Sequence, residues 1–494
     1  MSSKSFKTII GMEIHARVLS NTKLFSRAPI GNLNSAPNTL LSGFDLSLPG
    51  TLPVLNKHCV DQSIKAGLAL NGRISPVCVF ERKHYFYHDN PSGYQITQYR
   101  HPIVTDGQLT VLPPANSPQR KDAFRPFNIK IDRIQLEQDT GKTVYDDGVS
   151  LIDLNRAGAP LLEIVTAPCI HGAYEASAFL SSLQVLLQTL GISEAKAENG
   201  SLRADINVNV VSEDGTLKSP IVELKNINST HVIEAAVDYE IKRQTDALLR
   251  GLPLKRETRF YNTEKNETFA LRDKEEEYDY RIFQDLDLRP LVITPERVEA
   301  IKKTLPELPL DMYNRLQSQY QLSEYEASVL VKQIGAVPYF EEVCKGVKTP
   351  SLAWGWICND LLGYLRNENL SFKENPVPAA DIRTIVCNLE DNKITTPVAK
   401  TLLKKVWETK KPAESLLKEM DVSVTTDNAQ IESLCDALFQ SQLRENREFV
   451  DRYYTGDKRV LPWFVGEILK QTKGKVNPST VTSIFEQMLK DLKN

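Results

Sequence analysis

The sequence predicts an α+β chain, with a mixed or antiparallel sheet and flanking helices over residues 1–292, an all-helical region over 293–405 and a small helical tail over 406–494. Three observations predict it. Several segments alternate polar and apolar residues with period two. Gly, Pro, Asn and Asp punctuate the text up to about Pro290. After Leu291 the signals change to helix caps.

The first strand, Lys7 to Val18, places Met12, Ile14, Ala16 and Val18 on one face and Glu13, His15 and Arg17 on the other, because successive strand side chains point to opposite sides. Three later segments repeat the pattern. Gln135, Glu137 and Asp139 alternate with Ile134 and Leu136; Arg203, Asp205, Asn207 and Asn209 oppose an apolar row; Glu223 and Lys225 do so against Val222 and Leu224. A solvated outer face is the plain alternative for one such strand. Four together resemble a lined basin, since an antiparallel sheet can bury one face and leave the other open.

Two helices interrupt the strands. The first, about Ala173 to Leu190, carries a Leu/Val stripe and stops at Gly191; the second, about Val232 to Arg250, follows Asn228-Ser229-Thr230 and stops at Gly251. In the helical region Thr294-Pro295 gives an N-cap with Pro at the first helical position. Ser323-Glu324-Tyr325-Glu326 is a capping box, and Thr396-Pro397 opens another helix. Lys404 to Pro412, rich in Lys and marked by Pro, reads as a linker.

Composition narrows the function classes. A chain of 494 residues with formal charge -3 has no global attraction for polyanions, so nucleic acid must be met by local basic patches. Seven scattered cysteines without a C-x-x-C pair argue for a reducing compartment and against structural zinc. No apolar run approaches the ~20 residues that span a bilayer. The first strand begins by residue 7, so a cleavable presequence is expected to be absent or already removed.

Several familiar motifs are incomplete. Gly141-Lys142-Thr143 looks like the end of a P-loop, but the glycine needed five positions earlier is Leu136. There is no G-x-G-x-x-G, G-x-S-x-G or H-E-x-x-H. His84 and His88 are four apart, yet the aromatic text around them favours strand or loop over a zinc-binding helix. With 23 glycines where ~7% usage gives roughly 35, the chain is a poor candidate for a serine amidase built on Gly/Ser-rich loops.

Longer blocks carry more information. They include Gly11-Met12-Glu13-Ile14-His15, Leu48-Pro49-Gly50-Thr51-Leu52-Pro53, Arg82-Lys83-His84-Tyr85-Phe86-Tyr87, Asp153-Leu154-Asn155-Arg156, Gly200-Ser201-Leu202-Arg203-Ala204-Asp205 and Glu223-Leu224-Lys225-Asn226. In this order, and into the tail at Phe464-Val465-Gly466-Glu467, the chain resembles the B-subunit family of aspartyl/glutamyl-tRNA amidotransferases. The resemblance implies a cradle domain that uses ATP and Mg²⁺ to phosphorylate the side-chain carboxylate of glutamate on glutamine tRNA. It implies a helical domain, a tail that touches the tRNA, a glutaminase (amidase) partner that supplies ammonia, and a further, small accessory partner. No membrane partner is implied.

Carried onto this sequence, the resemblance implies Glu13, His15, Glu137, Asp205 and Glu223 as catalytic residues, with Glu13, His15 and Glu137 around Mg²⁺. Lys83, Arg156, Arg203 and Lys225 are implied for phosphate or substrate contact, Arg156 having the alternative of a loop tie through ion pairs. Departures from the family pattern stand at Gln135, Gln138 and Asn199, where His or Glu is common, so a scaffold that binds tRNA without chemistry is the competing reading. The zinc-binding cysteine set of some relatives is missing, and zinc is not expected. The wording Glu137-Gln138-Asp139-Thr140-Gly141-Lys142 is similar to that of fungal mitochondrial members, implying the matrix, with bacterial cytosol as the alternative. In the tail, Lys458, Arg459, Lys470, Lys473 and Lys475, interleaved with Tyr454 and Trp463, suit RNA phosphates and bases; a solvated helical face is the alternative.

Overall fold

A computed structural model describes residues 5–31, 34–112, 126–227, 229–273, 279–420, 428–454, 456–472 and 476–493. The chain divides into two compact units between Asn314 and Arg315.

The first unit contains strands β1 (Phe6–Arg17), β2 (Arg73–Ile74), β3 (Val77–Cys78), β4 (Glu81–His84), β5 (Tyr94–Thr97), β6 (Val104–Val111), β7 (Phe127–Gln138), β8 (Lys142–Asp146), β9 (Val149–Asp153) and β10 (Pro160–Thr166). They are followed by β11 (Leu202–Ser212), β12 (Val222–Ile227), β13 (Glu257–Asn262), β14 (Glu267–Asp273), β15 (Phe283–Gln284) and β16 (Leu291–Val292). Its helices are α1 (Lys57–Ala69), α2 (Ala173–Thr189), α3 (Thr230–Arg250) and α4 (Pro295–Lys302). Nine strands form one sheet in the order β14-β13-β12-β11-β1-β10-β7-β6-β2. Every pairing is antiparallel except β12 with β13. The sheet is mixed, as the sequence predicts.

One face of this sheet is covered. Ile10, Met12, Ile14 and Ala16 of β1 join Ile134 and Leu136, Leu162 and Ile164, and Ile206 and Val208 in a single core with Ile64 of α1, Phe179 and Leu183 of α2, and Ile233 and Val237 of α3. Burying an aliphatic side chain of this size contributes roughly 1.5–3 kcal/mol, so the period-two rows fix which side each strand presents; a slip of one residue would put every charge into the core. The predicted helix ends hold: Ser229 Oγ accepts from Val232 N, and Gly251 caps α3 at φ +66.

Three features differ from the sequence reading. Helix α1 was not expected. Its buried face is built from small residues such as Ala66 and Gly67, where a Cβ on Gly67 would lie 2.5 Å from Val104 Cγ2, so close packing replaces the bulky stripe that pattern reading looks for. The first unit extends past residue 292: Val298, Ile301, Leu305 and Leu308 pack on its core, and Arg297 pairs with Asp61 of α1 at 2.8 Å. The stretch from Lys404 is helical, because lysines are good helix formers on an exposed face.

The second unit and its approach comprise α5 (Pro309–Tyr320), α6 (Glu324–Val331), α7 (Ala336–Cys344), α8 (Pro350–Gly355), a π-helical segment (Trp356–Leu361), α9 (Leu362–Asn367), α10 (Ala379–Glu390), α11 (Thr396–Thr409) and α12 (Ala413–Met420). Then come α13 (Asn428–Glu445), α14 (Arg447–Asp451), α15 (Val460–Gln471) and α16 (Pro478–Lys493). Only Lys410 to Pro412 separate α11 from α12, and Ala413 N donates to Asp381 of α10 at 2.8 Å. The tail has its own core, from Ile431 to Leu489, centred on Phe464. The capping box at Ser323 is present with both of its hydrogen bonds.

One buried ion pair fastens a long loop of the first unit. Lys23 is fully buried 3.5 Å from Asp45, which also accepts from Ser26 Oγ and from the amide and hydroxyl of Ser42. Burial pulls the Lys23 ammonium down while Asp45 opposes that shift. Lys23→Met is expected to lower stability by about 3–5 kcal/mol by stranding the Asp45 charge, and Lys23→Met/Asp45→Asn to recover more than half of the loss. Denaturant unfolding of the three proteins checks this; equal midpoints would show the pair to be inert.

Candidate active site

The uncovered face of the sheet is the floor of a basin of about 1190 Å³. Antiparallel register builds the floor row by row. Arg203 of β11, His15 of β1, Glu163 of β10 and Gln135 of β7 lie side by side, and Asp205 is opposite Glu13. Hairpin β4–β5 walls one side: Gln95 Nε2 donates to Gln138 O at 2.8 Å, and Gln98 Oε1 accepts from Leu136 N at 3.0 Å. The hairpin thereby brings Lys83 and Tyr85 over the floor. His84 is on this strand, as the aromatic text predicts, with its ring stacked on Phe283.

Single ligand atoms of His15, Glu137 and Glu163 lie within 4.8 Å of one another. Two carboxylates at that separation repel by about 3–4 kcal/mol at an effective dielectric of 20, and these two are nearly out of solvent, at 3% and 6% exposure. Lys83 Nζ stands 4.0 Å from Glu137 Oε2. Burial raises the Glu137 pKa, with Lys83 and His15 pulling it back and Glu163 adding to it. The Glu137 carboxylate in turn holds the Lys83 ammonium above its ordinary range against burial. Among the described residues none donates a hydrogen bond to Glu137 Oε2. An orphaned buried carboxylate oxygen, beside a second carboxylate and an imidazole, fits a hard divalent cation.

The cluster holds two of the three residues that the resemblance implies for Mg²⁺, His15 and Glu137, together with Glu163; Glu13 lines the basin beside it. Glu163 escaped sequence reasoning because β10 is buried throughout and shows no alternation, although one acid inside Leu161-Leu162-Glu163-Ile164-Val165 is itself a signal. Asp205 and Glu223 do not join the group either. Both face Lys225 Nζ, at 3.5 and 3.4 Å, and Glu223 also accepts from Thr258 at 2.9 Å. Burial lowers the Lys225 pKa, but the two carboxylates outweigh it and the net shift is upward.

The arginines divide. Arg203 lines the basin and donates to Asp139 at 3.0 Å. Arg156 ties a loop: its guanidinium donates to the carbonyls of Thr140 and Gly141 and lies 3.6 Å from Asp139, behind the basin residues Asp139 and Thr140. Lys142 and Thr143 are the first residues of β8 and pair with Asp153 and Ile152 of β9, so the P-loop look-alike is the start of a hairpin strand. Sequence reasoning also missed Tyr85, whose hydroxyl is held protonated by burial and by Glu137, Asp139 and Asp89, and is therefore available as a donor over the floor.

In the tail, Lys458, Arg459 and Lys470 are exposed. Arg459 and Arg452 both pair with Asp457, at 3.0 and 2.5 Å, and Lys470 lies 3.8 Å from Glu467. Trp463 is half-exposed, edge-on to Phe449. Lys473 and Lys475 lie outside the described residues.

Comparison with known proteins follows the same outline. The sequence matches the family described as the GatB/GatE catalytic domain over residues 8–299 and the GatB domain over residues 338–489. It is 38% identical over 488 residues to the B subunit of the aspartyl/glutamyl-tRNA(Asn/Gln) amidotransferase of Coxiella burnetii (strain CbuG_Q212), covering 98% of this chain and 100% of that one. It is also 38% identical over 495 residues to the mitochondrial B subunit of the glutamyl-tRNA(Gln) amidotransferase of Naegleria gruberi, covering 98% and 95%. To the corresponding B subunit of Paraburkholderia phytofirmans it is 36% identical over 495 residues, covering 99% and 100%.

The Lys225 cluster has a pH signature. Its ammonium titrates above the ordinary lysine range in the fold, so its stabilisation is fully present below about pH 10 and is lost only at higher pH. Lys225→Met is expected to cost about 1 kcal/mol at neutral pH. That deficit should shrink as pH rises past the ordinary lysine range and the wild-type ammonium loses its proton. Urea unfolding at pH 7.5 and at about pH 11 checks it; an equal deficit at both values would refute the ion-cluster account.

Proposed function

The chain belongs to the GatB/GatE family, and from that premise we propose that it is the B subunit of a glutamyl-tRNA(Gln) amidotransferase whose basin carries out ATP-dependent phosphorylation and amidation of the tRNA-bound glutamate. The observation that carries this reading is the cluster of half-buried His15 with buried Glu137 and Glu163 at the floor of an otherwise balanced basin. The lining holds seven carboxylates and seven lysine or arginine side chains. Such a basin has no spare positive charge for a nucleotide phosphate and a substrate carboxylate together, so a divalent cation supplies it.

The reaction has two steps. The glutamate carboxylate attacks the γ-phosphorus of ATP, forming a C–O–P linkage and releasing ADP; ammonia then attacks the acyl carbon, and inorganic phosphate leaves with the electron pair of the broken C–O bond. Activation is needed because a carboxylate oxygen is a poor leaving group and its charge repels a nucleophile. His15, Glu137 and Glu163 would hold Mg²⁺, which would neutralise phosphate charge when bound. Lys83 and Lys225 are placed to meet phosphate oxygens as they exchange acids for incoming anions, and Arg203 offers a planar donor set oriented by Asp139. Tyr85 donates a hydrogen bond to an oxygen over the floor. Ammonia comes from an amidase partner, and a small accessory partner completes the complex. The likeness to the Naegleria gruberi mitochondrial protein supports a mitochondrial placement, and the equal likeness to the Coxiella burnetii protein supports the bacterial alternative.

Two experiments test this reading. In the assembled complex given ATP, ammonium and misacylated Glu-tRNA(Gln), Glu163→Gln and Glu13→Ala are expected to slow Gln-tRNA formation on the order of 10²-fold or more while tRNA binding is kept. Full turnover in both would favour the scaffold reading that the substitutions at Gln135, Gln138 and Asn199 suggest. For the tail, neutralising Lys458, Lys470, Lys473 and Lys475 together is expected to weaken tRNA binding and to flatten its salt dependence by about one logarithmic unit of slope for each phosphate no longer neutralised. Filter binding over a salt series measures this, and unchanged affinity at physiological salt would end the tail's role.

A further inference from the structure

A chain of four side chains runs from the rim of the basin to its floor. Tyr99 is half-exposed at the rim, and the Arg133 guanidinium lies over its ring with the carbon 5.3 Å from the centroid. Arg133 Nε donates to Gln135 Oε1 at 3.0 Å. Gln135, itself buried, donates through Nε2 to Glu163 Oε2 at 2.8 Å and to Thr97 Oγ1 at 3.1 Å. Alternation along β7 puts Arg133 and Gln135 on the same face, and the β10–β7 register sets Gln135 opposite Glu163.

The direction of the central amide is fixed from both ends, by a donor at the rim and an acceptor at the floor. A guanidinium has five donors and no acceptor, so only the carbonyl oxygen of Gln135 can face Arg133. The NH₂ group is then obliged to face Glu163. Thr97 cannot decide the matter, since a hydroxyl either donates or accepts. Without Arg133 the carbonyl oxygen loses this donor, and the amide is held at its NH₂ end by Glu163 and Thr97. Stacking on Tyr99 limits the orientation of Arg133 in its turn.

Resting on the reading of His15, Glu137 and Glu163 as a cation group, we propose that Arg133 and Gln135 are positioning residues for Glu163, and that they set the affinity of the basin for a divalent cation. A fixed neutral donor to a ligating carboxylate holds it in one rotamer and leaves its remaining lone pairs directed at the ion, which is how outer partners tune metal sites. Gln135 suits the task because an amide does not titrate, so the donor persists at every pH at which the protein folds. A neutral imidazole at this position would be chemically parallel, offering one acceptor to Arg133 and one donor to Glu163.

The test uses the full chain and Mn²⁺ as the probe, with affinity read from the free-ion EPR signal and folding from the thermal midpoint. Gln135→Glu, which turns the donor facing Glu163 into an acceptor, is expected to weaken Mn²⁺ binding by about 10–100-fold, and Arg133→Met by about tenfold. Gln135→His should stay within a few-fold of wild type, and Glu163→Gln should abolish the site. A merely structural role would shift the midpoint and leave Mn²⁺ affinity unchanged in the folded variants. If Glu163→Gln loses Mn²⁺ while Gln135→Glu and Arg133→Met bind it as wild type does, the positioning inference is overturned and the cation group stands. If wild type and Glu163→Gln bind alike, the cation group itself is overturned, and this inference with it.

Discussion

Two carboxylates buried side by side, Glu137 and Glu163, are the constraint on which the rest of the first unit depends. Like charges withdrawn from water persist only where donors and cations are brought to them. The sheet satisfies this by register: β1 brings His15 against Glu163, β7 brings Gln135 to its other side, and hairpin β4–β5 carries Lys83 to Glu137. Each partner comes from a different strand, so the arrangement exists only when β1, β10, β7 and the hairpin are all in place. The helices beneath serve it by covering the apolar face, which leaves the charged rows nowhere to go but the basin.

The same logic governs the cations. Lys225 sits between Asp205 and Glu223, Arg203 is held by Asp139, and Lys83 faces Glu137. Every one of these charges is met from within the protein. On the proposed function the basin would act as an exchange surface: an incoming phosphate would compete for a lysine or arginine already oriented by an acid, and the displaced acid would be available to a cation. A preorganised set of this kind costs little rearrangement when charge shifts during phosphoryl transfer. The buried, orphaned oxygen of Glu137 runs against folding stability, as is common where a site is shaped for chemistry.

The helical unit follows a different rule. Its tail core around Phe464 is built from aromatic and aliphatic side chains, and its charges lie outside. There Arg452 and Arg459 converge on Asp457, which orders a short turn before α15 and leaves Lys458 and Lys470 projecting. Trp463 is divided between the two roles that the sequence allows it, packed on Phe449 at one edge and open to solvent elsewhere.

By itself the sequence determined the strands and their faces, because period-two alternation at Glu13/His15, Gln135/Glu137, Arg203/Asp205 and Glu223/Lys225 is a local property enforced by burial of the opposite row. It also determined the helix ends at Ser229, Gly251 and Ser323, where one side chain or one positive φ suffices, and the family, through long blocks of particular residues. Tertiary structure alone decided which charged residues meet. Glu163 lies in a strand buried on both faces and so leaves no periodic trace, and α1 hides its packing face in Ala66 and Gly67. Arg156 and Arg203 read alike in the chain, yet Arg203 lines the basin while Arg156 is tied to the carbonyls of Thr140 and Gly141. Pairing between strands far apart in sequence sets such distances, and nothing local to a residue records who its neighbour across the sheet will be.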